Sequence, residues 1–171
     1  MRLSCSIVVR CWGTKPTLRL TGYLWVSAMF CVLALLEASR IGIFLVPPFG
    51  ATLTILMLLP DASVAQPYAL IAGSVCAAAV GTGFSLLGSS LVMAVLAMIA
   101  AFVVISSIHA YHPPGVALAS IPVLLHTGHW FPLAVVLPFT AAAVVSAAAM
   151  SKWLSGWPEY PKSLRNCSKE L

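Results

Sequence analysis

His112 stands immediately before Pro113 and Pro114, in a stretch from Ile41 to Ser151 that holds no Lys or Arg and, in Asp61, a single acid. An imidazole set among apolar residues has three uses: it donates to a passing solute, it changes charge near pH ~6.5 and couples movement to protons, or it bonds a backbone carbonyl and braces the chain. Sequence alone leaves all three open. The prolines contribute differently. Proline lacks an N–H and disfavours helix before it but suits a helix's first turn, so Pro47-Pro48 and Pro113-Pro114 each mark a helix start. The donors exposed at the first start would be the amides of Phe49, Gly50 and Ala51 with the Thr52 hydroxyl, and at the second those of Gly115, Val116 and Ala117. Two such starts brought together by a twofold axis would make a positive, donor-rich site for a small anion. The competing arrangement is a pair of Pro-kinked helices whose donors are met by neighbouring side chains.

Other chemistry is sparser. His109 and His112 are three apart, as are His126 and His129, a spacing that can put two imidazoles on one helical face. A metal site would need both pairs, yet 14 residues of helix from His112 to His126 would separate them by about 21 Å. Gly128, Trp130 and Phe131 instead suit a membrane interface around His126 and His129. Glu37 and Arg40 can neutralise each other on a helix, and Asp61 reads as a loop acid. Cys5, Cys11, Cys31, Cys76 and Cys167 show no CxxC spacing and read as reduced and incidental. With no nucleophile or acid pair near either break, neither an enzyme nor a cofactor or metal site is expected.

The elements that must carry these residues follow from composition. Of 171 residues, 61% are hydrophobic and 8% charged, which excludes an ordinary soluble domain and points to a polytopic membrane protein. Eight of the nine basic residues lie in the tails, before Leu20 or after Ser151, so both termini are expected on the cytoplasmic side of a bacterial inner membrane, and the number of crossings is even. This placement makes the net charge of +5 a topology signal, and no nucleic-acid partner is expected. The expected organisation is a basic tail over residues 1–19, a transmembrane domain over 20–151 and a second basic tail over 152–171.

Sliding the chain by 66 residues lays VPPFGATLTILMLL (Val46 to Leu59) over HPPGVALASIPVLL (His112 to Leu125), matching both Pro pairs, and a shift of 65 then matches Pro67 to Pro132. A tandem duplication over about 22–88 and 89–151 follows. Each unit holds a long apolar segment, a Pro-Pro break, a short segment and a second long segment. Long segments fall at about Leu20 to Leu36 or on to Leu45, Pro67 to Leu87, Ser89 to Ala110 and Pro132 to Met150, with Gly88 in a hairpin and Gly81 and Gly83 placed to soften or end the second. The short segments, Phe49 to Leu59 and Gly115 to Leu125, would reach only about 17 Å against a core of about 30 Å, so the fold class is all-α with four transmembrane helices and two half-helices. A competing parse joins Ile41 to Leu59 as one broken span, giving three crossings per repeat and an inverted duplication. Stripes of small residues, Ala72 to Gly81 and Ala141 to Ala149, read as helix-packing faces.

The runs AYHPPGVALAS (Ala110 to Ser120) and PPFGATLTILMLLPDASVAQPYALIAG (Pro47 to Gly73) resemble the HPP family of integral membrane proteins, over roughly Gly22 to Met150. The resemblance implies a bundle of four transmembrane helices and a transporter role, with nitrite transport associated with plant and cyanobacterial relatives. Its motifs fall on His112, Pro113 and Pro114, on Pro48, Phe49, Gly50, Ala51 and Thr52, and on Ala65, Gln66 and Pro67. Together with Gly115 these make His112, the two breaks and Gln66 the expected substrate contacts. Departures stand where the family commonly has a small-residue run after HPP and Arg-Asn after AQP: here are Val116, Ala117 and Leu118, and Tyr68 and Ala69. The expected function is passage of a small solute, a nitrite-like anion among the candidates, by a homo-oligomer in the lipid bilayer; the alternative is a noncatalytic membrane scaffold or assembly factor.

Overall fold

The computed structural model describes residues 20–36, 47–154 and 157–162. The Glu37 and Arg40 pair, Cys5, Cys11 and Cys167, and the proposed join at Ile41 lie outside the described residues.

Proline sets the starts of three helices. After α1 (Leu20–Leu36), α2 (Pro47–Leu58) begins on the first Pro pair, α3 (Pro67–Ser85) on Pro67, and α5 (Pro113–Leu118) on the second pair. α4 (Leu91–Ser107) starts instead with Ser90, whose hydroxyl accepts from the Met93 amide and satisfies a donor that the helix leaves open. α6 (Ser120–Leu125) follows α5, and α7 (Leu137–Trp153) continues a π turn over Pro132–Val136. A 3-10 turn, Ser63–Ala65, links α2 to α3. Every regular element among the described residues is helical.

Two differences from the sequence expectation have proline as their cause. The segment Gly115 to Leu125 is split at Ala119, because Pro122 has no N–H for the Leu118 carbonyl and its ring crowds that carbonyl. Pro138 does the same inside the last helix, where the chain widens and Leu137 N–H reaches back to Pro132 O. Gly81 and Gly83 do not end α3, which runs on to Ser85.

Exterior and interior are inverted relative to a water-soluble bundle. On α4 the buried positions are Ala94, Ala97, Ala101 and Ile105, while Leu91, Val92, Val95, Leu96, Ile99, Phe102 and Val103 point outward. Small residues inside bring backbones together, and large apolar residues outside suit hydrocarbon. Pro67–Ser85 and the 22 residues of Pro132–Trp153 are long and apolar enough to cross a membrane; α1 and α4, at 17 residues, rise about 26 Å.

α3 is the hub, packing on α4, α5, α6, the π turn and α7. Contacts fix the helix directions. Gly22 lies against Met57 and Gly50 against Phe30, so α1 and α2 are antiparallel. Gly73 lies under the Ala110 carbonyl and Gly81 under that of Ala119, so α5 and α6 run parallel to α3. Tyr68 O–H donates to Ile108 O at 3.0 Å, placing the end of α4 at the start of α3. Tyr160, just beyond α7, donates to Ala65 O at 2.9 Å and puts the end of α7 there as well. The six runs α1, α2, α3, α4, α5–α6 and α7 therefore alternate in direction. Neither short segment turns back on itself: each runs from one end of the bundle toward the other.

Candidate functional site

His112 is the N-cap residue of α5 and is wholly buried. Its Nδ1 lies 2.7 Å from the Val64 carbonyl, which can only accept, so Nδ1 carries a proton and donates. Its Nε2 lies 3.0 Å from Thr52 Oγ1, which is itself 3.0 Å from Pro48 O. One imidazole thus ties the second break to α2 and to the loop that follows it. Sequence reading named both His112 and Thr52 but had no means of pairing them across 60 residues.

The remaining expected contacts divide. Pro48, Phe49, Pro114 and Gly115 are buried, and Phe49 stacks on Phe139 with centroids 4.1 Å apart. Gly115 sits against the backbone of Gly73 and Ser74, and its amide, expected to be open, donates to His112 O at 2.9 Å. Pro113 and Ala51 are exposed, and Gly50 is half-buried against Phe30. Gln66 closes its own loop: Nε2 donates to Pro60 O and Ala62 O, and Oε1 accepts from Lys162 N–H.

The two helix starts do not converge. α5 begins beside Val64, at the Gln66 end of the bundle, whereas the start of α2 lies toward Phe139, near the start of α7. Antiparallel packing aims their free amides at opposite ends, so the expected joint anion cradle is not formed; what meets is the side chains of His112 and Thr52. Neither histidine pair shares a helical face. α4 ends at Ser107, and His109 is exposed with φ 55° while His112 is buried; α6 ends at Leu125, and His126 stands at φ 53° outside it. Among the described residues no three His, Cys, Asp or Glu side chains gather where a metal could be held.

Two features escaped the sequence reading. Ser74, on the small-residue stripe of α3, is wholly buried beside Gly115, and its Oγ has no partner among the described residues. The chain after α7, expected to be a basic tail, returns to the core. Trp157 meets Trp25 edge to face at 5.9 Å, Tyr160 N–H donates to Ser151 Oγ, and the Tyr160 hydroxyl reaches Ala65 O. Burial pushes the Tyr160 phenol up, so it stays a donor. This strap and His112 hold the Val64–Gln66 loop from two sides. Tyr160→Phe removes one buried hydrogen bond and leaves Ala65 O unpaired, so a loss of about 1–2 kcal/mol is expected in unfolding of the detergent-solubilised protein; unchanged stability would show that the strap does not hold the loop.

A family model described as the HPP transmembrane region matches residues 14–161. No curated protein and no solved structure matches.

Proposed function

The chain belongs to the HPP transmembrane family, and from that premise we propose that it carries a small solute across a bacterial inner membrane, a nitrite-like anion among the candidates. The observation that carries this reading is the buried polar seam that begins at His112. His112 meets Thr52 at 3.0 Å, and Ser74 lies wholly buried beside Gly115, in a bundle whose exterior is apolar. An ionisable side chain at membrane depth is costly and marks a solute or ion pathway by default, which puts the weight on His112; Ser and Thr at such positions also serve helix packing. His112 and Thr52 come from opposite halves of the chain, so relative movement of the halves opens or closes their contact.

The proposed topology is six passes, three in each half, with the 66-residue duplication relating halves that run in opposite directions. Supporting it is the alternation of the six runs, which favours the competing parse over four spans with two re-entrant half-helices. Inverted repeats are a common basis for alternating access. The start of α1 and the end of α7 share the end that carries Lys152 and Lys162, which favours that end, with both termini, as cytoplasmic. In the bilayer the protein is proposed to be a homo-oligomer.

Vesicles containing the protein are expected to take up at least one of a panel of small anions and neutral solutes, nitrite included, faster than protein-free vesicles. Pro114→Leu should remove that uptake. A folded, reconstituted protein indifferent to the whole panel would count against transport. The second reading, a membrane scaffold, draws on the internal bonding of both His112 nitrogens and of the Gln66 amide; a stoichiometric partner that co-purifies while no solute moves would favour it.

A further inference from the structure

We propose that Nε2 of His112 is a proton-binding site and that the Thr52 hydroxyl is the switch that lets it load and unload. The proposal rests on the transport reading and adds its coupling ion. Nδ1 is committed as a donor by the Val64 carbonyl, so Nε2 is the position that can gain or lose a proton. Thr52 Oγ1 stands 3.0 Å from Nε2 and 3.0 Å from Pro48 O, and it has one hydrogen to give. With that hydrogen directed at Nε2, the ring is neutral and both its nitrogens are satisfied. When a proton from solvent adds to the Nε2 lone pair, N–H donates to Oγ1 and the hydroxyl rotates to donate to Pro48 O. Every hydrogen bond is then satisfied again, and no heavy atom has moved. The bond to Pro48 O is the i−4 back-bond that Thr54, Thr82 and Thr140 also make; what sets Thr52 apart is that its oxygen also faces an imidazole nitrogen.

The surroundings shape the outcome. α2, α4 and α5 contain no ionisable residue. The titratable or charged groups on the other packed elements are Tyr68 and Cys76 of α3, Asp61 in the loop after α2, His109 and Tyr111 before His112, and Glu159, Tyr160 and Lys162 of the strap. Asp61, Tyr68, His109, Tyr111 and Glu159 are exposed, and the Tyr160 hydroxyl is bound to Ala65 O. No carboxylate partners the imidazolium among the described residues. The charged state therefore favours arrival of a small anion, and proton and anion would move together with no net charge.

The test reads the ring directly, by nitrogen NMR of histidine-labelled protein in lipid nanodiscs between about pH 4 and 9, with the His112 signals assigned by their loss in His112→Asn. Nε2 of wild type is expected to pass from acceptor to protonated while Nδ1 stays protonated throughout. Thr52→Ser keeps the hydroxyl and should titrate as wild type, whereas Thr52→Val should shift the midpoint by a unit or more or abolish the transition. An Nε2 that holds one state over the whole range, or Ser and Val variants that titrate alike, would overturn the proposal. The readout needs no solute, so inert vesicles with a titrating Nε2 would remove the transport reading and leave the proton site standing.

Discussion

Gly81→Ala is expected to destabilise the folded protein by about 2–3 kcal/mol, and Gly73→Ala by a similar amount, although alanine is the better helix former. A Cβ added at Gly81 would collide with the Ala119 carbonyl oxygen and lie 2.7 Å from Ala119 Cα; at Gly73 it would collide with the Ala110 carbonyl oxygen. The obstacle at both positions is backbone, which cannot rotate away as a side-chain tip can. Overpacking costs about 1–3 kcal/mol where neighbours can adjust and more where they cannot, against a gain of about 1 kcal/mol in helix propensity. Gly83 is the internal control. It lies in the same helix with nothing within 4 Å of an added Cβ, so Gly83→Ala should show the propensity gain alone. Equilibrium unfolding in detergent separates the three. If Gly81→Ala proves as stable as Gly83→Ala, the close approach of α3 to the α5–α6 chain is wrong, and with it the parallel direction of those elements.

That test bears on what could be read in the sequence. Helix starts were legible because proline announces them, as at Pro47, Pro67, Pro113 and Pro132. The packing role of the α3 stripe was legible from its small residues, yet nothing along the chain separates Gly73 and Gly81, pressed against carbonyls, from Gly83, open to space. Direction was the larger gap. A duplicated Pro-Pro element suggests two helix starts facing each other, but whether repeats meet head to head or pack antiparallel depends on which end of the bundle each element enters. Hydropathy does not carry that information, and basic residues concentrated in the tails fix only parity. The strap was missed for a related reason: its basic residues read as cytoplasmic tail, while the residues that anchor it, Trp157 and Tyr160, act through partners more than 90 positions away. Gln66 was legible only as a polar side chain at the loop, because one amide can equally contact a solute or close a loop. In the structure it bonds the Pro60 and Ala62 carbonyls.

His112→Ala carries the second large effect, a loss of about 3–4 kcal/mol together with loss of transport. The substitution deletes a wholly buried ring, leaves a cavity, and orphans the Val64 carbonyl, while Thr52 keeps its bond to Pro48 O. Large-to-small changes at such sites cost about 2–5 kcal/mol, and an unpaired buried acceptor about 1–3. Stability and chemistry fall together in this variant, so it cannot tell a brace from a functional group. His112→Asn can. The asparagine amide nitrogen sits about where Nδ1 sits, so it can donate to Val64 O and recover part of the loss, about 1–2 kcal/mol, without an ionisable ring at Nε2. Unfolding and vesicle uptake measured on the same preparations then separate the roles. The expected result is that Asn stands between wild type and Ala in stability while uptake stays as low as in Ala, because the solute pathway needs the imidazole. Recovery of uptake in step with stability would make His112 a brace alone, and the buried seam would lose its claim to be the pathway.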